Sequence, residues 1–164
     1  MGPDVHRQLW VMIKECSFAT LVTLEHSGCL RAWQMNCSQQ EFDGELWFFA
    51  ANDSPAVASI EANPEVCLVY GQSSQADLIS VSGPALVVTN IAKKQQLWNP
   101  IVQAWFPQGA SSGNIVLVRV AVNHAEYWDA RSNKSIHLTG KAKTFKTPSA
   151  LVDIAHTAQH EFTL

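Results

Sequence analysis

Strand-sized apolar runs follow one another through tight turns, with no helix between most neighbouring pairs. Residues 17–25 (SFATLVTLE) are rich in β-branched and apolar side chains, His26-Ser27-Gly28 is a turn, and residues 29–37 alternate again, so the segment reads as a hairpin. Phe42-Asp43-Gly44 makes the next turn, before a short aromatic strand over 45–50. Residues 66–71 form another apolar strand, and 77–89 a long one bent at Gly83-Pro84. Residues 115–122 and 125–128 are strands, and 135–138 fits a last one. About seven strands result, arranged as consecutive hairpins. That order excludes a doubly wound parallel sheet and predicts a mainly β (α+β) chain, an antiparallel β-barrel with peripheral helices.

Four helices fill the gaps. Val5, Leu9, Met12, Ile13 and Cys16 have helical spacing, with Asp4 as the expected cap. Asp53-Ser54-Pro55 starts a helix that runs to about Ala62 and ends at Asn63-Pro64. Asn90 caps a predicted helix over 91–105. Thr147-Pro148 opens a C-terminal helix over about 148–162, with Leu151, Ile154, Ala155, Ala158 and Phe162 on one face.

At 164 residues the chain is sized for one domain, 1–164. Charged residues are only 15% of it, against about 25% in an average chain, so a partner is expected to cover part of the surface. Eleven basic against fourteen acidic residues, net −3, argue against a general nucleic-acid footprint. No apolar run approaches the ~20 residues a membrane helix needs, and the first residues lack the pattern of a cleaved leader, so the expected location is cytoplasmic. The four cysteines Cys16, Cys29, Cys37 and Cys67 form no CxxC pair and read as buried free thiols.

No phosphate loop, zinc motif or nucleophile elbow is present. His156 and His160, with Glu161 beside them, have a spacing able to ligate a metal but read as solvated, so no metal is expected. His6, His26 and His124 are ordinary polar positions, and His137 follows the last tryptophan strand. Lys134, Lys141, Lys143 and Lys146 read as a solvated cluster. Trp10 and Trp47 read as core, whereas Trp98, Trp105, Phe106 and Trp128 flank a helix–loop–strand segment where aromatics stack on a planar ligand or fill an interface.

The ordered segments resemble those of the general stress proteins among the pyridoxamine 5'-phosphate oxidase-like flavoproteins. The opening helix is followed by Cys16-Ser17-Phe18-Ala19-Thr20-Leu21-Val22-Thr23, then Gln34-Met35 and Asp43-Gly44-Glu45-Leu46-Trp47-Phe48-Phe49. Asp53-Ser54-Pro55, Asn63-Pro64-Glu65-Val66 and Ile79-Ser80-Val81-Ser82-Gly83 come next. Leu97-Trp98-Asn99-Pro100, Trp105-Phe106-Pro107-Gln108-Gly109 and Ala125-Glu126-Tyr127-Trp128-Asp129 complete the set, which spans about residues 5–130.

The resemblance implies a split β-barrel homodimer with flavin mononucleotide (FMN) at its interface. Trp33, Gln34 and Met35 would pass along the ring and ribityl chain, with Phe49, Ala50 and Ala51 beside it. The stretch from Ser54 to Ala56 would face the phosphate, where helix-start N–H groups suit an anion. Trp98, Trp105, Phe106 and Trp128 would approach from the same or the partner subunit. The family's Arg-Pro-Met stands here as Trp33-Gln34-Met35, its Thr as Ala50 and its Lys as Ala56, and Arg31 is the expected substitute cation. The oxidase proper has an Arg and a His after its last tryptophan strand, where this chain has Ser135 and His137. The expected function is therefore an FMN-binding, oxidoreductase-like protein other than the true oxidase. The alternative is a non-catalytic dimer with a degenerate flavin site, and a haem-binding relative is a fold analogy only.

Overall fold

A computed structural model of the chain describes residues 3–16, 18–72, 77–129, 134–137 and 144–146. Among these residues lie nine strands and four helices, in the order α1 (Pro3–Ile13), β1 (Ala19–Leu24), β2 (Leu30–Met35), β3 (Glu45–Ala51), α2 (Pro55–Ala62), β4 (Glu65–Gln72), β5 (Asp77–Val88), α3 (Ile91–Leu97), α4 (Pro100–Trp105), β6 (Ile115–Ala121), β7 (His124–Asp129), β8 (Lys134–His137) and β9 (Thr144–Lys146). Every pairing is antiparallel, as the hairpin order of the sequence requires.

The path through the sheet runs β2-β1-β4-β5-β7-β8-β9, with β6 and β3 branching from β5. The branch is made by the bend of β5. Its first half, Leu78 to Ser82, pairs with β7, and its second half, Ala85 to Val88, pairs with β6. Gly83 stands at the switch, where an added Cβ would run into the Ala121 carbonyl oxygen, so only glycine permits this approach.

The branch β5-β6-β3 curls until its last strand meets the end of β2. Cys37, just past β2, bridges to Phe48 on β3, and this single bridge joins the two edges of the split barrel. The Gln39 side chain extends the seam. Its amide nitrogen donates to the Glu41 and Glu45 carbonyls at 2.7 and 2.8 Å, and its oxygen accepts from Trp47 N–H at 2.8 Å.

Period-two alternation divides the core. Leu46, Phe48 and Ala50 of β3 and Val116, Val118 and Val120 of β6 point into the barrel, with Leu21, Leu68, Tyr70 and Val81. Trp47, Phe49, Ile115 and Leu117 point outward and pack on Leu97, Trp98, Val102 and Phe106 from α3, α4 and their flanks.

Several expectations change. The helix over 91–105 is two helices, because Pro100 lacks an N–H and Asn99 caps the second one, its Oδ1 accepting from Ile101 and Val102 N–H at 2.9 and 3.0 Å. Helix α1 begins at Pro3, one residue ahead of the expected cap Asp4. Nine strands replace about seven, because the candidate at 135–138 forms as β8 and β9 was not expected. None of the cysteines is fully buried: Cys29 is exposed on its turn, and the other three are half-buried. Trp10 and Trp47 are half-buried flanks of the two cores. The predicted helix over 148–162, with His156 and His160, lies outside the described residues, as do Lys141 and Lys143.

Candidate functional site

The outward face of the barrel at its seam and the short helix α4 enclose a cleft of about 280 Å³. Strand β2 supplies Gln34 and Met35, with Asn36 just past its end. Phe49 comes from the outer face of β3, and Phe18 from the residue before β1. The opposite wall is Ile101, Val102 and Trp105 of α4, followed by Phe106.

The wall stays in place through its caps. Trp98 Nε1 donates to Gln103 Oε1 at 2.9 Å, and Gln103 Nε2 donates to the Pro107 carbonyl at 3.2 Å. Trp98 meets Phe49 edge-on, and Phe49 also lies against the Phe106 ring at 6.4 Å between centroids. Behind α3, the buried Lys94 ammonium donates to the Ser112 and Ile115 carbonyls, both at 2.9 Å, and ties the loop ahead of β6 to the helix.

Of the residues singled out from the sequence, Gln34, Met35, Phe49, Trp105 and Phe106 line the cleft together. Trp98 sits behind Phe49 as its aromatic support. The others do not line it. Trp33 packs towards the barrel core, with Nε1 donating to Thr23 Oγ1 at 2.9 Å. Arg31 is paired with Glu25 at 2.8 Å. Ala50 faces the barrel interior, and Ala51 is half-buried at the end of β3. Ser54 caps α2, with Val57 N–H donating to its hydroxyl at 3.4 Å, and Ala56 is buried beside it. Trp128 is half-buried on β7, opposite Leu78.

Four lining residues were not expected: Phe18, Asn36, Ile101 and Val102. Asn36 was within reach of pattern reasoning, because it follows Met35 at the end of a strand already assigned to the site; Phe18 borders a strand that was not. Ile101 and Val102 depend on the break at Pro100, which turns α4 towards the barrel.

Among the described residues, the cleft walls carry no charged side chain. Aromatic and aliphatic groups surround two amides, Gln34 and Asn36, which donate and accept. Such a lining fits a planar ring with a polar edge. Among the described residues, no group of three or more His, Cys, Asp or Glu side chains is placed to hold a metal, and no helix is long and apolar enough to cross a membrane.

Solved structures share this architecture. The Clostridium acetobutylicum protein related to general stress protein 26 of B. subtilis superposes with a TM-score of 0.70 at 14% identity, over 89% of this chain and 96% of its own. General Stress Protein 26 from Bacillus anthracis gives 0.66 at 18% identity, over 87% and 98%. The general stress FMN/FAD binding protein from Xanthomonas citri gives 0.64 at 25% identity, over 78% and 90%. No curated protein matches the sequence. The model of the family described as pyridoxamine 5'-phosphate oxidase like matches residues 4–150. With nearly the whole chain inside that match, the protein belongs to the pyridoxamine 5'-phosphate oxidase-like family.

Proposed function

We propose that the cleft receives the ring of FMN, and that the chain acts as a flavin-binding, oxidoreductase-like homodimer of the general stress type. The observation that carries this reading is the uncharged aromatic and amide lining of the cleft on the outer barrel face. A bound flavin supplies hydride transfer between stacked rings, chemistry that asks the protein for orientation and water exclusion rather than for a base. Gln34 and Asn36 would orient the polar edge of the ring, while Phe49, Trp105 and Phe106 would exclude water from its faces. Phe18, Ile101 and Trp105 are 43%, 54% and 68% exposed at the cleft, a large apolar rim suited to a second subunit. Oxidation of pyridoxamine phosphate itself is not part of this reading, because the resemblance puts Ser135 where the oxidase proper has an Arg.

One specific observation favours the second reading, a non-catalytic dimer with a degenerate flavin site. A phosphate normally draws Arg or Lys through charge-assisted bonds. The substitute cation Arg31 is held by Glu25 at 2.8 Å, and among the described residues no cationic side chain lines the cleft. The ring end of FMN therefore fits this site better than the phosphate end.

Parallel titration with FMN and with riboflavin, which lacks the phosphate, separates the readings. Tight binding of FMN with much weaker riboflavin binding supports a working phosphate end. Equal, weak binding of both supports the degenerate site. No binding of either sinks the flavin reading altogether.

A further inference from the structure

Beside the seam, where Cys37 and Gln39 close the barrel, lies a small cavity of about 70 Å³. Two cysteines line it, Cys16 from the turn after α1 and Cys37 from the bridge that closes the barrel. They come together because β1 and β2 pair with Ala19 opposite Met35, which puts the start of one strand beside the end of the other. Tyr70 of β4 also lines the cavity. It is 1% exposed, and its hydroxyl is buried with no hydrogen-bond partner. A buried hydroxyl without a partner is destabilising, so a group at this place calls for a function. The remaining walls include Lys14 and Gln39.

We infer that Cys16 and Cys37 are a redox-active dithiol that a hydroperoxide converts to a disulfide across the barrel seam, with the Tyr70 hydroxyl as the hydrogen-bond donor to the reacting thiolate. The first sulfur attacks one peroxide oxygen, and the proton it gives up goes to the other, departing oxygen. The O–O bond breaks, giving a sulfenic acid and one molecule of water or alcohol. The second sulfur then displaces the sulfenic hydroxyl, which leaves as water, and the S–S bond forms. Two thiols are oxidised by two electrons, and one peroxide is reduced.

The resting cysteines are protonated. Burial pushes the Cys37 thiol up, partly offset by the backbone N–H groups of Gln39 and Trp47. Burial and then the Glu15 carboxylate push up Cys16. Burial, followed by the negative charge that Cys37 and Cys16 carry once ionised, raises the Tyr70 phenol well above its usual range. A hydroxyl that keeps its proton remains a donor, and a thiolate forming beside it gives it the acceptor it lacks. As donors, the Cys16 Sγ reaches the Met12 carbonyl at 3.7 Å and the Cys37 Sγ the Gln39 side-chain oxygen at 3.6 Å. Neither contact helps a thiolate, because both partners are acceptors.

The chemistry is independent of what occupies the cleft. It also reaches the cleft, because Asn36 immediately precedes Cys37 and Phe18 follows Cys16 by two positions.

The test treats the full chain with hydrogen peroxide, blocks remaining thiols under denaturing conditions, and maps the peptides after cleavage at basic and glutamate residues. The expected result is an intrachain Cys16–Cys37 peptide, reversed by a dithiol reductant, in the wild type and in Cys29→Ser/Cys67→Ser. Thiols that stay reduced, separate sulfinic acids, or links through the exposed Cys29 or through Cys67 would overturn the dithiol. Tyr70→Phe, checked for folding by circular dichroism, should slow disulfide formation about tenfold, the lower end of what a bond to a charged group supplies. An unchanged rate would overturn the part given to the hydroxyl.

Discussion

Phe49 and Trp98 meet edge to face, with ring centroids 5.4 Å apart and planes at 87°. This pair joins the outer face of the barrel to the break between α3 and α4, and so sets the floor of the cleft. Phe49 is 8% exposed and packs with Leu97, Val102, Ile115 and Leu117. Replacing it with alanine removes a buried ring and one aromatic contact. Phe49→Ala should cost about 3–5 kcal/mol in urea unfolding, together with any ligand binding in the cleft.

Trp105 gives the opposite balance. It lines the same cleft while 68% exposed, so its ring is presented to a ligand or partner more than to the core. Trp105→Ala should change unfolding free energy by no more than about 0.5 kcal/mol. Flavin affinity and dimer formation should both fall, measured by fluorescence titration and by sedimentation. A strongly destabilised variant would assign Trp105 to packing instead.

At the bend of β5 a methyl group is enough to break the fold. The Ala121 carbonyl occupies the space a Cβ at Gly83 would need, and both contacting groups are backbone. Gly83→Ala should therefore cost about 2 kcal/mol or more, the upper range for overpacking. Serine or valine there should be worse, and the soluble yield of each variant orders them.

Lys94 is a buried cation whose partners among the described residues are two carbonyls and no carboxylate. Lys94→Met keeps the aliphatic stem but leaves the Ser112 and Ile115 oxygens without their donor. The expected loss is about 1–3 kcal/mol. Amide hydrogen exchange should rise in the loop before β6 before it rises elsewhere.

Alkali should weaken the fold through the seam cavity. Cys16 and Cys37 are raised above an ordinary thiol value of 9.0, and Tyr70 above an ordinary phenol value of 10.0, in each case by burial first. Between its unfolded and folded pKa values, each group keeps its proton in the folded chain and loses it in the unfolded one. The unfolded state then binds fewer protons, so stability falls as pH rises past 9.0 and more steeply past 10.0. Below that window these groups contribute no slope. Tyr70→Phe lacks the titrating phenol, so its urea midpoint should exceed that of the wild type by a growing margin as pH rises above 10.0.

The fold was legible because its signals are local. Turn residues around Gly28 and Gly44 separate the hairpin strands, and Gly83-Pro84 marks the bend where β5 changes partner. Ser54-Pro55 fixed the start of α2, and the same logic at Asn99-Pro100 divides the helical stretch that residue spacing alone had joined. The cleft was legible only in part. Alternation along β3 separates Phe48 from Phe49 but does not say which helix covers the outer one. Lys94 was invisible as a buried group, since nothing near it in sequence announces the Ser112 and Ile115 carbonyls. The bridge from Cys37 to Phe48 and the cavity behind it follow from barrel closure, a long-range event that cysteine spacing does not report.

The most direct test of the central claim is titration of FMN fluorescence with the purified full chain. Saturable quenching that is weakened in Trp105→Ala is the predicted result, and it would put the flavin ring in the cleft between β2, β3 and α4. Fluorescence that stays unchanged at saturating protein would contradict the account, leaving the cleft to a ligand of another class.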